Sequence, residues 1–190
     1  MRKLREVYAD SDIIIRTKTP QLRTVLILGS ALLPLVIASD TIVRDYVAAA
    51  METVILVSLL TSLTLLFRGR YRLSSLIALT MVTVAIIMIT IFIEPDSRRQ
   101  VQSVALYMVV PVVVSLTVTD SEWYTFAMVP IGLAIILGVS FLKIAPALPA
   151  LGDTVPIMGE VVVGAVVFVL ISTFAGLIAR STFLYIWESP

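Results

Sequence analysis

Six apolar stretches, each long enough to cross a lipid bilayer, occupy most of this 190-residue chain. A membrane-spanning helix needs about 20 mostly apolar residues, and 59% of the residues here are hydrophobic. Because lipid offers the backbone no hydrogen-bond partners, stretches of this length are expected to be helical. We therefore predict an all-α polytopic membrane protein, a six-helix bundle. The predicted spans are residues 22–39, 46–67, 73–94, 101–118, 123–142 and 159–180.

The spans divide the chain into three parts. Residues 1–21 are polar and basic and form a predicted cytoplasmic or interfacial segment. Residues 22–180 form the transmembrane domain, and residues 181–190 a cytoplasmic extension of the last helix. Thr19-Pro20 is expected to end any helix before the first span, because proline lacks the backbone N–H. Residues 143–158 carry three prolines and are predicted to form the only long loop.

The distribution of Lys and Arg predicts how the chain is oriented, because cytoplasmic loops carry an excess of these residues. Ten of them lie in the N-terminal tail, in the 68–72 turn and at the end of the sixth span. The opposite side has four, which are Arg44, Arg98, Arg99 and Lys143. We expect both termini in the cytoplasm and the chain in the plasma membrane, the inner membrane of a bacterium.

The composition excludes several kinds of chemistry. Cysteine and histidine are absent, so disulfides, thiol catalysis, histidine acid–base catalysis and the commonest zinc and haem ligands are not expected. The formal charge of +1 gives no indication of nucleic-acid binding. The sequence also lacks a nucleophile elbow and a phosphate-binding glycine loop. We predict neither an enzyme nor a cofactor, and the lipid bilayer is the first expected partner.

Glu52 is the most informative single residue. It lies two turns inside the outer end of the second span, about 9 Å below the interface, where an ionisable group is costly and usually faces a protein interior or a wet cavity. It is expected to line an outward-facing pocket for a small molecule or lipid. Alternatively, Glu52 lies among headgroups or pairs with Arg98 or Arg99. The predicted ligand-binding set is Glu52, Tyr46, Arg98, Arg99, Tyr107 and Glu160.

The last span carries small residues at four-residue spacing, which allow helices to approach closely. The pairs are Ser172 with Gly176 and Ala175 with Ala179. Packing within the bundle is the favoured use, and a homodimer through this helix is the alternative.

The arrangement of spans resembles a known class of membrane domain. Arg68-Gly69-Arg70-Tyr71-Arg72-Leu73-Ser74-Ser75 joins two apolar helices, the 119–122 turn joins two more, and the sixth helix continues into an amphipathic segment. This resembles the N-terminal six-helix sensory input domains of bacterial sensor kinases, chemotaxis receptors and cyclases. The resemblance implies ligand sensing, dimerisation and relay through the last helix to a cytoplasmic output domain beyond Pro190 or in a separate partner.

Two other functions stay open. A substrate-binding subunit of a vitamin-type transporter has this length, and an outer pocket under the 143–158 loop would suit one. A membrane anchor or assembly subunit without a ligand is the third possibility.

Overall fold

The structure, a computed structural model, describes residues 7–8, 13–92, 94–153 and 155–188, without the side chains of residues 122, 179 and 182–188. The predicted N-terminal and C-terminal segments therefore lie partly outside the described residues. The described part is 88% helical and contains no strand, which confirms the all-α fold class. Its six long helices are α1 (Ile13–Val43), α2 (Tyr46–Phe67), α3 (Tyr71–Phe92), α4 (Gln100–Val118), α5 (Glu122–Val139) and α6 (Met158–Glu188).

Each of the six long helices is apolar and long enough to span a membrane within the described residues. The prediction of six spans is therefore confirmed, and the protein is a multi-pass membrane protein. For α2 the predicted bounds match the structure, and for α3 and α4 they agree within two residues. The first and fifth spans differ more.

The prediction that Thr19-Pro20 ends a helix is wrong, because α1 runs through both Pro20 and Pro34. Threonine hydroxyls donate to carbonyls around the first proline, from Thr19 to Ile15 (2.6 Å) and from Thr24 to Pro20 (2.9 Å). Neither bond reaches the Arg16 carbonyl, which is the acceptor that the missing N–H of Pro20 would have served. The helix packs along α2, which offsets the lost backbone hydrogen bond.

The prediction of a long loop at 143–158 is also wrong over most of its length. After α5 the chain stays helical through a π-helical turn, Ser140–Ile144, and through Ala145–Ala147 and Leu148–Leu151. Two of the prolines, Pro146 and Pro149, lie near the starts of the last two segments, where the hydrogen-bond pattern of the helical run changes. Gly152, at φ 75°, ends the helical run in the left-handed conformation.

The chain divides into two compact units. Unit 1 comprises α1, α2, α3 as far as Ala85 and the turn Thr117–Asp120. In this unit a fully buried serine pair joins α2 to α3. Ser62 and Ser74 each donate to the other's carbonyl oxygen at 2.8 Å, so these buried polar side chains hold the hairpin together.

Unit 2 comprises α3 from Ile86, α4 as far as Leu116, α5 and α6. Its core contains Phe168 of α6, which is fully buried and lies directly over Gly132 of α5. Further along, Phe126 of α5 lies against Gly176 of α6. The order of these contacts shows that α5 and α6 are antiparallel, and each aromatic ring fills the space left by a glycine.

Candidate functional site

A group of polar side chains gathers at one end of unit 1, and we call it the turn cluster. It consists of Tyr8, Lys18, Tyr71, Arg72 and Asp120. The group joins the N-terminal segment, the turn between α2 and α3 and the turn after α4. Three segments that the charge distribution predicts on one side of the membrane are thus in contact at one end of this unit.

Three of these side chains donate hydrogen bonds to backbone carbonyls at the C-terminal ends of helices or just after them. The last carbonyls of a helix lack N–H partners within it, and here side chains supply donors, which at Leu66 act beside the N–H of Gly69 in the turn. Tyr8 Oη donates to the Leu66 carbonyl of α2 (2.8 Å), and Tyr71 Oη donates to the Val118 carbonyl of α4 (2.5 Å). Lys18 Nζ donates to the Thr119 carbonyl at 2.7 Å. The N-terminal segment is therefore tied to two turns that follow it in the chain.

Asp120 is the acidic member of the turn cluster. Its carboxylate accepts from Arg72 Nε at 2.6 Å, and Lys18 lies within its electrostatic reach. The Asp120 side chain is 12% exposed, whereas that of Arg72 is 76% exposed. Most of the Arg72 side chain is therefore open to solvent or to a ligand. Burial raises the pKa of Tyr8 to about 12, so its hydroxyl stays protonated and acts as a donor near neutral pH.

A cavity of about 350 Å³ opens beside this cluster. It is lined by Tyr8, Ile15 and the run Gly69–Leu73. Two of its side chains are arginines and two are apolar. A pocket of this composition suits an anion that is attached to an apolar group.

Glu52 lies on α2 and is half-buried. Its Oε2 atom is inaccessible and has no hydrogen-bond partner among the described residues. Asp40 is a side-chain hydrogen-bond partner of the Glu52 carboxyl group, and Asp45 lies within electrostatic reach of it, so its nearest described charges are acidic. The described residues hold no cluster of acidic, histidine or cysteine side chains fit to bind a metal ion. A hydrogen-bond donor or a positive charge would complement this acidic group.

The other predicted ligand-binding residues are divided between the two units. Tyr46 shares unit 1 with Glu52 and is 64% exposed. In unit 2, Arg98 pairs with Asp153 (3.7 Å), and Glu160 accepts from Gln102 (2.5 Å). The remaining members, Arg99 and Tyr107, are both exposed. Whether one ligand engages the whole set stays a prediction.

Lys143 has a structural role that the sequence did not reveal. Its ammonium group donates to the Thr90 carbonyl (3.3 Å) and to the Ile91 carbonyl, at the end of α3. The sequence pattern predicts this residue at the start of a loop. Because the helix continues past it, the side chain is held at the carbonyl end of α3, where a cation also interacts favourably with the helix dipole.

The small residues of α6 pack within unit 2. Ser172, Ala175 and Gly176 are buried, and Gly176 approaches Phe126 so closely that an added Cβ would lie 2.8 Å from the ring. The side chain of Ala179 lies outside the described residues. A homodimer through this helix stays a prediction.

Sequence reasoning missed Tyr8, Lys18, Tyr71 and Asp120 as a group. The available signal was the recurrence of polar residues at three helix ends predicted on the same side of the membrane. No family model, curated protein or solved structure matches this chain. The fold therefore defines the class, a multi-pass, all-α membrane protein with six helices of spanning length among its described residues.

Proposed function

We propose that this protein is a sensory module of the bacterial inner membrane, which relays the binding of a small molecule or lipid to a cytoplasmic output through α6. The observation that carries the proposal is the length of this helix. It runs unbroken from Met158 to Glu188, a length of 31 residues, whereas about 20 apolar residues are enough to cross a bilayer. The helix is therefore longer than a span requires by about 10 residues, or about 15 Å.

A continuous helix can transmit a rotation or a slide, because its hydrogen-bonded backbone does not bend freely at the membrane surface. Within unit 2, α6 contacts α5 through aromatic rings over glycines. Packed interfaces of this kind favour discrete arrangements over gradual deformation. A ligand that binds one arrangement better shifts an existing equilibrium toward it.

The proposed ligand site is the outer region around Glu52. Its buried, unpartnered oxygen among the described residues supports a role for this carboxyl group in binding. The ligand is then a small molecule or lipid with a hydrogen-bond donor or a positive charge. This assignment and the relay through α6 are separate parts of the proposal.

The relay is tested by fusing the chain after Glu188 to a dimerisation-dependent reporter and inserting one to four alanines after Arg180. Each inserted residue rotates the reporter by about 100° relative to α6. We expect the output to vary with a period near that of the helix, falling with one or two insertions and recovering with four. The same insertions in a flexible Gly-Ser linker after Glu188 serve as the control and should show no period.

An output that falls steadily or stays constant with insertion after Arg180 would contradict the relay and favour a simple anchor. Glu52→Gln is the companion variant and should change the reporter output while leaving membrane insertion intact. Copurification with an ATPase complex or a tightly held vitamin would instead favour a transporter subunit.

A further inference from the structure

We propose that the cavity at the start of α3 binds the phosphate of an anionic phospholipid headgroup, held by Arg70 and Arg72. This site is distinct from the region around Glu52, and the inference does not rest on the proposed sensory function. It rests on the geometry of the turn, on the charge of the cavity and on its size.

The turn between α2 and α3 fixes the position of Arg70. Gly69 has φ 79°, a conformation that glycine adopts without steric cost. The Gly69 N–H donates to the Leu66 carbonyl (3.2 Å), and the Arg70 N–H donates to the Leu65 carbonyl (3.0 Å). This pair of bonds is the Schellman motif of a helix C-terminus. Because α3 begins at Tyr71, the backbone at Arg70 is held by the ends of two helices.

The arginines of the cavity have donors available for a ligand. The Arg70 side chain is exposed and forms no ion pair or hydrogen bond among the described residues. Arg72 uses its Nε for Asp120, which leaves its terminal nitrogens available. Guanidinium groups pair with phosphate through two parallel hydrogen bonds. Asp120 offsets part of this charge, but Lys18 also lies within its reach, so the described charges around the cavity remain net positive.

The rest of the cavity suits a lipid better than a free ion. Ile15 and Leu73 provide apolar walls, and the hydroxyls of Tyr8 and Tyr71 are engaged with helix carbonyls. A volume of about 350 Å³ is at the lower end of the range for ligand pockets, enough for a phosphate and its glycerol. The cavity lies where two spans end, which is the level of the lipid headgroups.

The test measures lipid retained by the purified full chain in native mass spectrometry, with phosphatidylglycerol and phosphatidylcholine as probes. We expect the unmodified protein to retain phosphatidylglycerol preferentially. Arg70→Gln should weaken that retention about fivefold, the effect of one basic residue near an anionic lipid. Arg68→Gln is the matched control, because Arg68 lies in the same turn but does not line the cavity. It should retain the lipid as the unmodified protein does.

Three results would overturn the proposal. Equal retention of the two lipids by the unmodified protein would show that no anionic site exists. Equal losses in Arg68→Gln and Arg70→Gln would assign the effect to the charge of the turn rather than to the cavity. Displacement of the lipid by inorganic phosphate, but not by chloride at equal ionic strength, would assign the pocket to free phosphate. Size-exclusion profiles of the variants establish that each one is folded.

Discussion

At the scale of the residue, α5 and α6 pack closely because glycines on each helix leave room for an aromatic ring of the other. A Cβ atom added to Gly132 would lie 2.2 Å from Cζ of Phe168, a separation that no side chain can tolerate. The same addition at Gly138, also on α5, meets nothing within 4 Å. The contact with Phe168 therefore requires a glycine at position 132, whereas position 138 has room for a side chain. The sequence pattern alone does not distinguish the two glycines.

We predict that Gly132→Ala lowers the free energy of unfolding by about 1–3 kcal/mol, the usual cost of overpacking a core. Gly138→Ala should be neutral or stabilising by up to about 1 kcal/mol, because alanine favours a helix. Thermal unfolding in detergent provides the comparison. The added mutation Phe168→Leu should recover part of the loss in Gly132→Ala. Equal effects of the two alanine variants would contradict the contact with Phe168.

At the scale of the element, α2, α3 and α4 each end where a distant polar side chain supplies a donor for one of the last carbonyls. Tyr8 and Tyr71 complete α2 and α4, and Lys143 completes α3. These partners come from distant parts of the sequence. The ends of the spans are therefore set by tertiary contacts as well as by local hydropathy.

The contact made by Lys143 can be tested at this scale. Lys143→Met removes a charged donor from the Thr90 and Ile91 carbonyls, and we expect a loss of about 1.5–3 kcal/mol, as for hydrogen bonds to charged groups. Arg99→Gln removes an exposed cation from the same unit and should cost less than about 1 kcal/mol. Chemical denaturation in detergent measures both. If Lys143→Met and Arg99→Gln lower the stability equally, the loss of a positive charge explains the effect, and the hydrogen bonds of Lys143 to the end of α3 do not.

At the scale of the whole molecule, the charge distribution predicts which ends of the helices face the cytoplasm. The chain contains no cysteine, so single introduced cysteines report on their own positions without background. We expect Arg68→Cys and Ser121→Cys to react with a membrane-impermeant thiol reagent only after the cells are opened. Asp96→Cys and Val155→Cys, the latter at an exposed position, should react in intact cells. Labelling of Arg68→Cys in intact cells would reverse the orientation and remove the route from the outer pocket to a cytoplasmic output.

The candidate site was only partly predictable from the sequence. Glu52 could be singled out because a carboxyl group within an apolar stretch is costly wherever it lies. The cavity beside Arg70 could not, because its lining combines Tyr8 and Ile15 with the turn that begins more than 50 residues later. A hydropathy pattern does not predict which turns, distant in the sequence, are in contact.

The sequence by itself determined the fold class and the six spans, because a run of about 20 apolar residues in lipid is stable only with its backbone bonded internally. The tertiary structure decided how far α1 and the helical run after α5 extend, since packing there outweighs the local cost of proline. It also decided which polar residues meet at the helix ends. Those contacts join residues such as Lys18 and Thr119, and such pairings depend on the position of each helix in space rather than on any local pattern.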